Sequence, residues 1–246
     1  MKNLASVNLE SGKQGGAPRA LLASYKHTLH FTVICVILAV VSAFNSTHTS
    51  AGDAATTPNQ LHVFYVFMIG VEWLWVRFIY KGMRKYKRSI LEFFGRHQLT
   101  LKEFGKDVVY AALAFGVDYL CNSGVVGLLQ HGAPPSDPLL PALPVGLFAV
   151  TLWVCLSVTA GVCEEIVFRG YLQRQLTAIT GRVGIAIVGQ GILFGIGHGY
   201  QGYVAVISII LNGVVMGALA AWRGNIRAGI LEHATWDILA GFGIVT

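Results

Sequence analysis

The chain has 246 residues, of which 54% are apolar and 12% charged, about half the ~25% charge of a soluble domain. With a mean hydropathy of +0.60, this composition excludes an ordinary soluble enzyme and points to a polytopic helical membrane protein. The net charge of +6 does not argue for a nucleic-acid partner. Lys and Arg are missing from 27–76 and 107–168 and crowd into 81–88, with Arg96, Lys102 and Lys106 following, a pattern that orients loops against anionic lipid.

Residues 1–27 are polar, carry Lys2, Lys13, Arg19 and Lys26, and read as a cytoplasmic tail. No cleavage pattern follows the first apolar run, so that run is read as a span and not a removed signal peptide. Residues 28–246 are read as one membrane-embedded domain, an all-α transmembrane bundle. Hydropathy predicts about seven spans, near 28–45, 61–80, 107–129, 144–168, 183–200, 203–222 and 228–246. The connections 46–60 and 130–143 lack Lys and Arg, and the second is Pro-rich; 81–106, 169–182 and 223–227 are basic. That alternation predicts a cytoplasmic N-terminus and an outer C-terminus in a bacterial-type inner or plasma membrane. Segment 89–104 mixes Leu91, Phe93, Phe94, Leu99, Leu101 and Phe104 with charges, which predicts an amphipathic helix lying in the interface.

Several polar residues fall inside these apolar runs. Cys35, Cys121, Cys155 and Cys163 show no CxxC spacing and read as small buried hydrophobes. Glu72, Arg77 and Asp118 read as structural, with a loose Glu72–Arg77 pair across the helix surface. The densest cluster is Glu164-Glu165-Ile166-Val167-Phe168-Arg169, which follows an uncharged run from Pro144 to Cys163. Ionised side chains are expensive in hydrocarbon, so such a cluster faces protein and does something there. Glu165 and Arg169 are four apart, acid first, the favourable order for an ion pair on one helix face. Glu164, about 100° round the helix, has no intrahelical partner. It either acts as a general base or acid or joins Glu165 in locking a helix end.

Two further clusters follow, Phe194-x-x-x-His198 and His233-x-x-x-Asp237. With straight spans Glu164 lies near one membrane face and His198 near the other. A shared site requires the Glu164 helix to run past Arg169 toward Thr180.

The three motifs in order, with Gly213-Val214-Val215-Met216-Gly217 and Arg223-Gly224-Asn225-Ile226 between the last two, resemble the CPBP family. That family includes type II CaaX prenyl endopeptidases and the Abi proteins of bacteriocin processing and immunity. The resemblance covers about 144–240. It implies an intramembrane endopeptidase in which Glu164 and His198 activate a water while His233 and Asp237 stabilise the oxyanion, with Glu165 and Arg169 supporting the site. The family's last motif residue is often Asn. An ionised Asp237 can only accept hydrogen bonds, so here it is protonated, orients His233, or helps bind a cation. If a divalent metal such as zinc is present, Glu164, His198, His233 and Asp237 are its ligands; a metal-free glutamate mechanism fits the same residues. The implied partners are membrane lipid and a peptide or lipidated-protein substrate, with no nucleic acid. A catalytically silent scaffold or immunity protein is the alternative reading, and a proton-coupled carrier a further one.

Overall fold

The structure, a computed structural model, describes residues 20–48, 58–95, 100–129 and 143–245. Most of the predicted tail and of the Pro-rich connection lies outside the described residues. The helices in chain order are α1 (Tyr25–His48), α2 (Pro58–Arg84), α3 (Leu101–Leu129), α4 (Leu147–Glu164), α5 (Gln173–Thr180), α6 (Val183–Gly197), α7 (Tyr203–Arg223) and α8 (Arg227–Ala240). A π-helical stretch, Glu165–Leu172, joins α4 to α5, and short 3₁₀ turns occupy Ile90–Phe94 and Gly199–Gln201. No strand occurs among the described residues.

Five segments are long and apolar enough to cross a membrane: Tyr25–Ser42, Pro58–Arg84, Leu101–Leu129, Leu147–Thr180 and Tyr203–Arg223. Their outward faces, Leu74, Leu113, Leu120 and Leu128 among them, are exposed and apolar, as lipid requires. The other two of the seven predicted spans are shorter. At 15 and 14 residues, α6 and α8 rise roughly 22 and 21 Å, less than the ~30 Å hydrocarbon core. Hydropathy sums apolar residues and does not see where a helix breaks, as α6 does between Gly197 and the left-handed Gly202 (φ 88).

The Glu164 helix does continue to Thr180, 34 residues in all. Its lower half looks polar in sequence because Arg169, Gln173 and Gln175 face protein and not lipid. Gln173 Nε2 donates to the Gly217 carbonyl at 2.8 Å, and Gln175 accepts from the Leu22 amide at 2.7 Å and donates to the Ala23 carbonyl at 2.8 Å. Buried polar groups with partners of this kind are tolerated at membrane depth. The extension brings Glu164 level with His198. Glu164 precedes Thr180 by sixteen positions and His198 follows Val183 by fifteen, so at 1.5 Å per residue both stand roughly 22–24 Å above the α5–α6 turn.

The predicted interfacial helix over 89–104 is not one helix. Ser89 caps Ile90–Phe94 in a capping box with Glu92, and a separate helix, α3, starts at Leu101. Leu91 and Leu101 stay exposed, but Phe93 is fully buried, seated so closely on Gly170 that a Cβ there would overlap its ring. An aromatic that fits a glycine notch gains more from burial than from an interface.

Close backbone approach positions the remaining helices. A Cβ on Gly213 of α7 would lie 2.7 Å from the Gly191 Cα of α6, and Gln190 Nε2 donates to the Gly213 carbonyl at 2.6 Å across the same seam. Small residues serve helix association in lipid in this way. Asp107 at the start of α3 takes Arg223 Nη2 at 2.8 Å and Arg227 Nε at 2.6 Å, tying the end of α7 and the start of α8 to one carboxylate. Gly161 places α4 against α8: a Cβ there would sit 2.9 Å from the Ala234 amide nitrogen. Gly161→Ala is expected to displace α8, lower thermal stability in detergent by about 1–3 kcal/mol and move His233 off its partners. Gly116→Ala, where an added Cβ meets nothing within 4 Å, serves as the neutral control.

Candidate active site

His233 is the centre of the site. Its Nε2 lies 3.6 Å from Glu164 Oε2 and 3.6 Å from Asp237 Oδ2, and its Nδ1 lies 3.7 Å from Glu165 Oε1. One imidazole on α8 therefore touches both acids of the first motif and the acid one turn further along its own helix. The i, i+4 spacing makes the His233–Asp237 approach; the contacts to Glu164 and Glu165 come from the α4–α8 packing over Gly161.

Glu165 and Arg169 form the expected pair at 2.7 Å, both side chains fully buried. They do so on the π-helical stretch, a geometry frequent at functional sites and not legible in the residues. The Arg169 guanidinium lies 4.3 Å above the Phe194 ring centroid, a cation–π contact. Phe194 also meets the His198 ring at 5.0 Å and the His233 ring at 5.8 Å. The first residue of Phe194-x-x-x-His198 thus joins the ion pair to both histidines.

His198 follows α6, and its Nδ1 lies 2.9 Å from the Phe194 carbonyl oxygen. A carbonyl can only accept, so Nδ1 is the donor in this contact and Nε2 is the ring nitrogen left outside it. His198 shares with Glu164 a cavity of about 640 Å³, within the range of small-ligand sites. It shares a second chamber, of about 170 Å³, with His233 and Asp237. The structure thus brings all four expected residues to one place: Glu164, His233 and Asp237 by direct approach, His198 across the adjoining cavities.

Apart from Ser42, Glu72 and Tyr200 the larger cavity has apolar walls, with Phe31, Phe64, Phe67, Trp75 and Phe168 among them. Leu38, Val41, Phe64 and Phe67 belong both to this cavity and to the exposed outer surface of α1 and α2. The polar site therefore opens sideways toward lipid.

Glu72 corrects the sequence reading. It does not pair with Arg77; five positions apart on a helix places two side chains about 140° from each other, and Arg77 is exposed while Glu72 is buried. Glu72 lines the cavity and meets the Glu164 carboxyl within hydrogen-bonding reach. Its one signal in sequence is that it is the sole acid between 61 and 80. Trp153 is another residue with no sequence signal: its Nε1 donates to the Asp237 carbonyl at 2.9 Å, holding the end of α8 to α4.

The four candidate ligands do not make a preformed metal seat, since no group of three or more His, Cys, Asp or Glu side chains among the described residues is arranged to hold an ion. Their approaches instead suit proton transfer between carboxylates and imidazoles. Neither the curated proteins nor the solved structures contain a match to this chain. The family comparison is positive: residues 138–239 match the model described as type II CAAX prenyl endopeptidase Rce1-like. The matched stretch holds the Glu-Glu-x-x-x-Arg, Phe-x-x-x-His and His-x-x-x-Asp motifs whose side chains converge here, so this part of a multi-pass membrane protein is similar to the type II CAAX prenyl endopeptidase Rce1-like family.

Proposed function

We propose that this membrane protein is an endopeptidase that hydrolyses a peptide bond in a membrane-associated substrate, a prenylated CaaX-type tail or a leader peptide, with a water activated by Glu164 and His198. The observation that carries this reading is the presence of those two groups in one cavity whose remaining wall is mainly apolar and reaches the exposed apolar surface of α1 and α2. Lipid or a lipidated peptide enters such a cavity from the side without crossing water.

Amide hydrolysis needs a base for water, donors for the developing oxyanion and a proton for the leaving amine. Glu164 takes the water proton as the oxygen bonds to the carbonyl carbon. His233, surrounded by three carboxylates, donates an N–H to the oxyanion. The breaking C–N bond returns its electron pair to nitrogen, which collects a proton delivered through Glu164 and His198. Asp237 orients His233 from 3.6 Å, which explains why an acceptor serves where an amide is common. The basic loops support an orientation with the N-terminus in the cytoplasm, in a bacterial-type inner or plasma membrane.

The test is cleavage of a matched panel of prenylated and unprenylated peptides by purified protein, with and without chelator. Cleavage of the prenylated member, undiminished by chelator, is the expected result. Loss with chelator and recovery with zinc would transfer water activation to a metal, and no cleavage of any member would remove the substrate assignment. Asp237→Asn is expected to stay within roughly tenfold of wild type, the worth of one hydrogen bond.

A further inference from the structure

Arg88, the α5–α6 turn and the end of α7 enclose a cavity that hydrolysis does not use. It measures about 690 Å³, the size of a small-ligand site, and none of Glu164, His198, His233 or Asp237 lines it. Arg88, Gln173 and Arg174 supply polar wall, and Val183, Ala221 and Trp222 supply apolar wall. Arg169 also lines it, but Glu165 already holds that guanidinium at 2.7 Å.

Arg174 is the unbalanced charge of this cavity. Its Nη1 and Nη2 donate to the Glu92 and Gly224 carbonyls at 3.3 and 3.2 Å, and among the described residues it forms no ion pair. The Glu92 carboxylate is taken by Arg88 Nη2 at 2.7 Å and by the Ser89 amide at 2.9 Å. Two guanidiniums against one carboxylate leave one positive charge, and a partly buried charge is costly until an opposite one reaches it. Arg88 Nε is buried with no hydrogen-bond partner. Gln173 is 3% exposed, and its Oε1 accepts from no donor among the described residues.

We propose that this cavity binds the headgroup of an anionic phospholipid, with the phosphodiester between Arg88 and Arg174. A phosphodiester carries a single negative charge, which matches the single charge left over, and guanidinium forks suit its oxygens. A headgroup hydroxyl satisfies Gln173 Oε1. The rim selects a lipid over free phosphate: Val183 and Trp222 are 43% and 68% exposed, an apolar edge on which acyl chains lie, and tryptophan favours the membrane–water boundary. Basic pockets between helices hold lipid headgroups in this way. Seated there, the headgroup bridges the segment after α2 to α5.

The experiment follows thermal unfolding of the purified full chain, delipidated in detergent and titrated separately with phosphatidylglycerol, phosphatidylcholine and inorganic phosphate. Phosphatidylglycerol carries both the anionic phosphodiester and free hydroxyls. It is expected to give a saturable rise of roughly 5 °C or more at about a hundredfold excess over its Kd, and the other two to give none of that size. Arg174→Gln and Arg88→Gln are each expected to lose most of the rise. Lys102→Gln, at an exposed basic residue outside the cavity, is expected to keep it. If one arginine variant fails to fold, the other carries the test. Equal rises with the two lipids would overturn the site in favour of general stabilisation by surrounding lipid. An equal rise with inorganic phosphate would overturn the lipid as the ligand. A rise kept in both arginine variants, or lost equally in Lys102→Gln, would overturn the site as well.

Discussion

Glu164→Gln is expected to lower peptide cleavage by about 10²–10⁴, the contribution of a positioned general base, while leaving the fold intact. The amide keeps the size of the side chain but cannot take a proton from water. It also removes one of two carboxyls that face each other, since Glu72 meets Glu164 across the cavity, so unfolding stability in detergent stays level or rises. Glu165→Gln, one residue along, is expected to behave in the opposite way: it leaves a buried guanidinium without its counter-charge and costs stability first. Measuring cleavage rate and thermal midpoint side by side separates the two. A Glu164→Gln protein that cleaves at the wild-type rate would remove Glu164 from the reaction.

Arg169→Met is expected to be the most destabilising single change in the site. Both members of the Glu165–Arg169 pair are fully buried, and removing one partner of such a pair costs about 3–5 kcal/mol because the other charge is left uncompensated. The loss extends to packing, since the guanidinium covers the Phe194 ring that also touches His198 and His233. The double variant Glu165→Gln/Arg169→Met is expected to recover most of the stability, as paired removal of buried charges often does. Equilibrium unfolding of the two single variants and the double gives the coupling directly. If the single and double changes are simply additive, the pair does not hold this helix.

Much of the site was legible from residue identity. Charged groups in an apolar run have few physical explanations, so Glu164, Glu165, Arg169, His198, His233 and Asp237 stand out by cost alone. The Glu165–Arg169 pair follows from spacing on one helix. Glu72 was misread because an isolated acid seeks its nearest opposite charge on paper, whereas in the bundle helix phase turns it from Arg77 toward another carboxyl. Asp118 and Glu232 gave no sign that they would line one chamber, since they lie more than a hundred positions apart in the chain.

The adjacent pair Glu164-Glu165 shows where the two kinds of information part. Composition and local spacing alone determined that this is a helical membrane protein, that the two acids face different ways, and that one of them has Arg169. Those properties depend on transfer energy and on a fixed rotation per residue, both written locally. Only the tertiary structure decided that the helix runs on to Thr180, that a π-helical turn carries Glu165, and that His233 reaches Glu164 over Gly161. These depend on which buried polar side chains find partners on other helices and how closely two backbones can approach. A linear reading of hydropathy contains neither quantity.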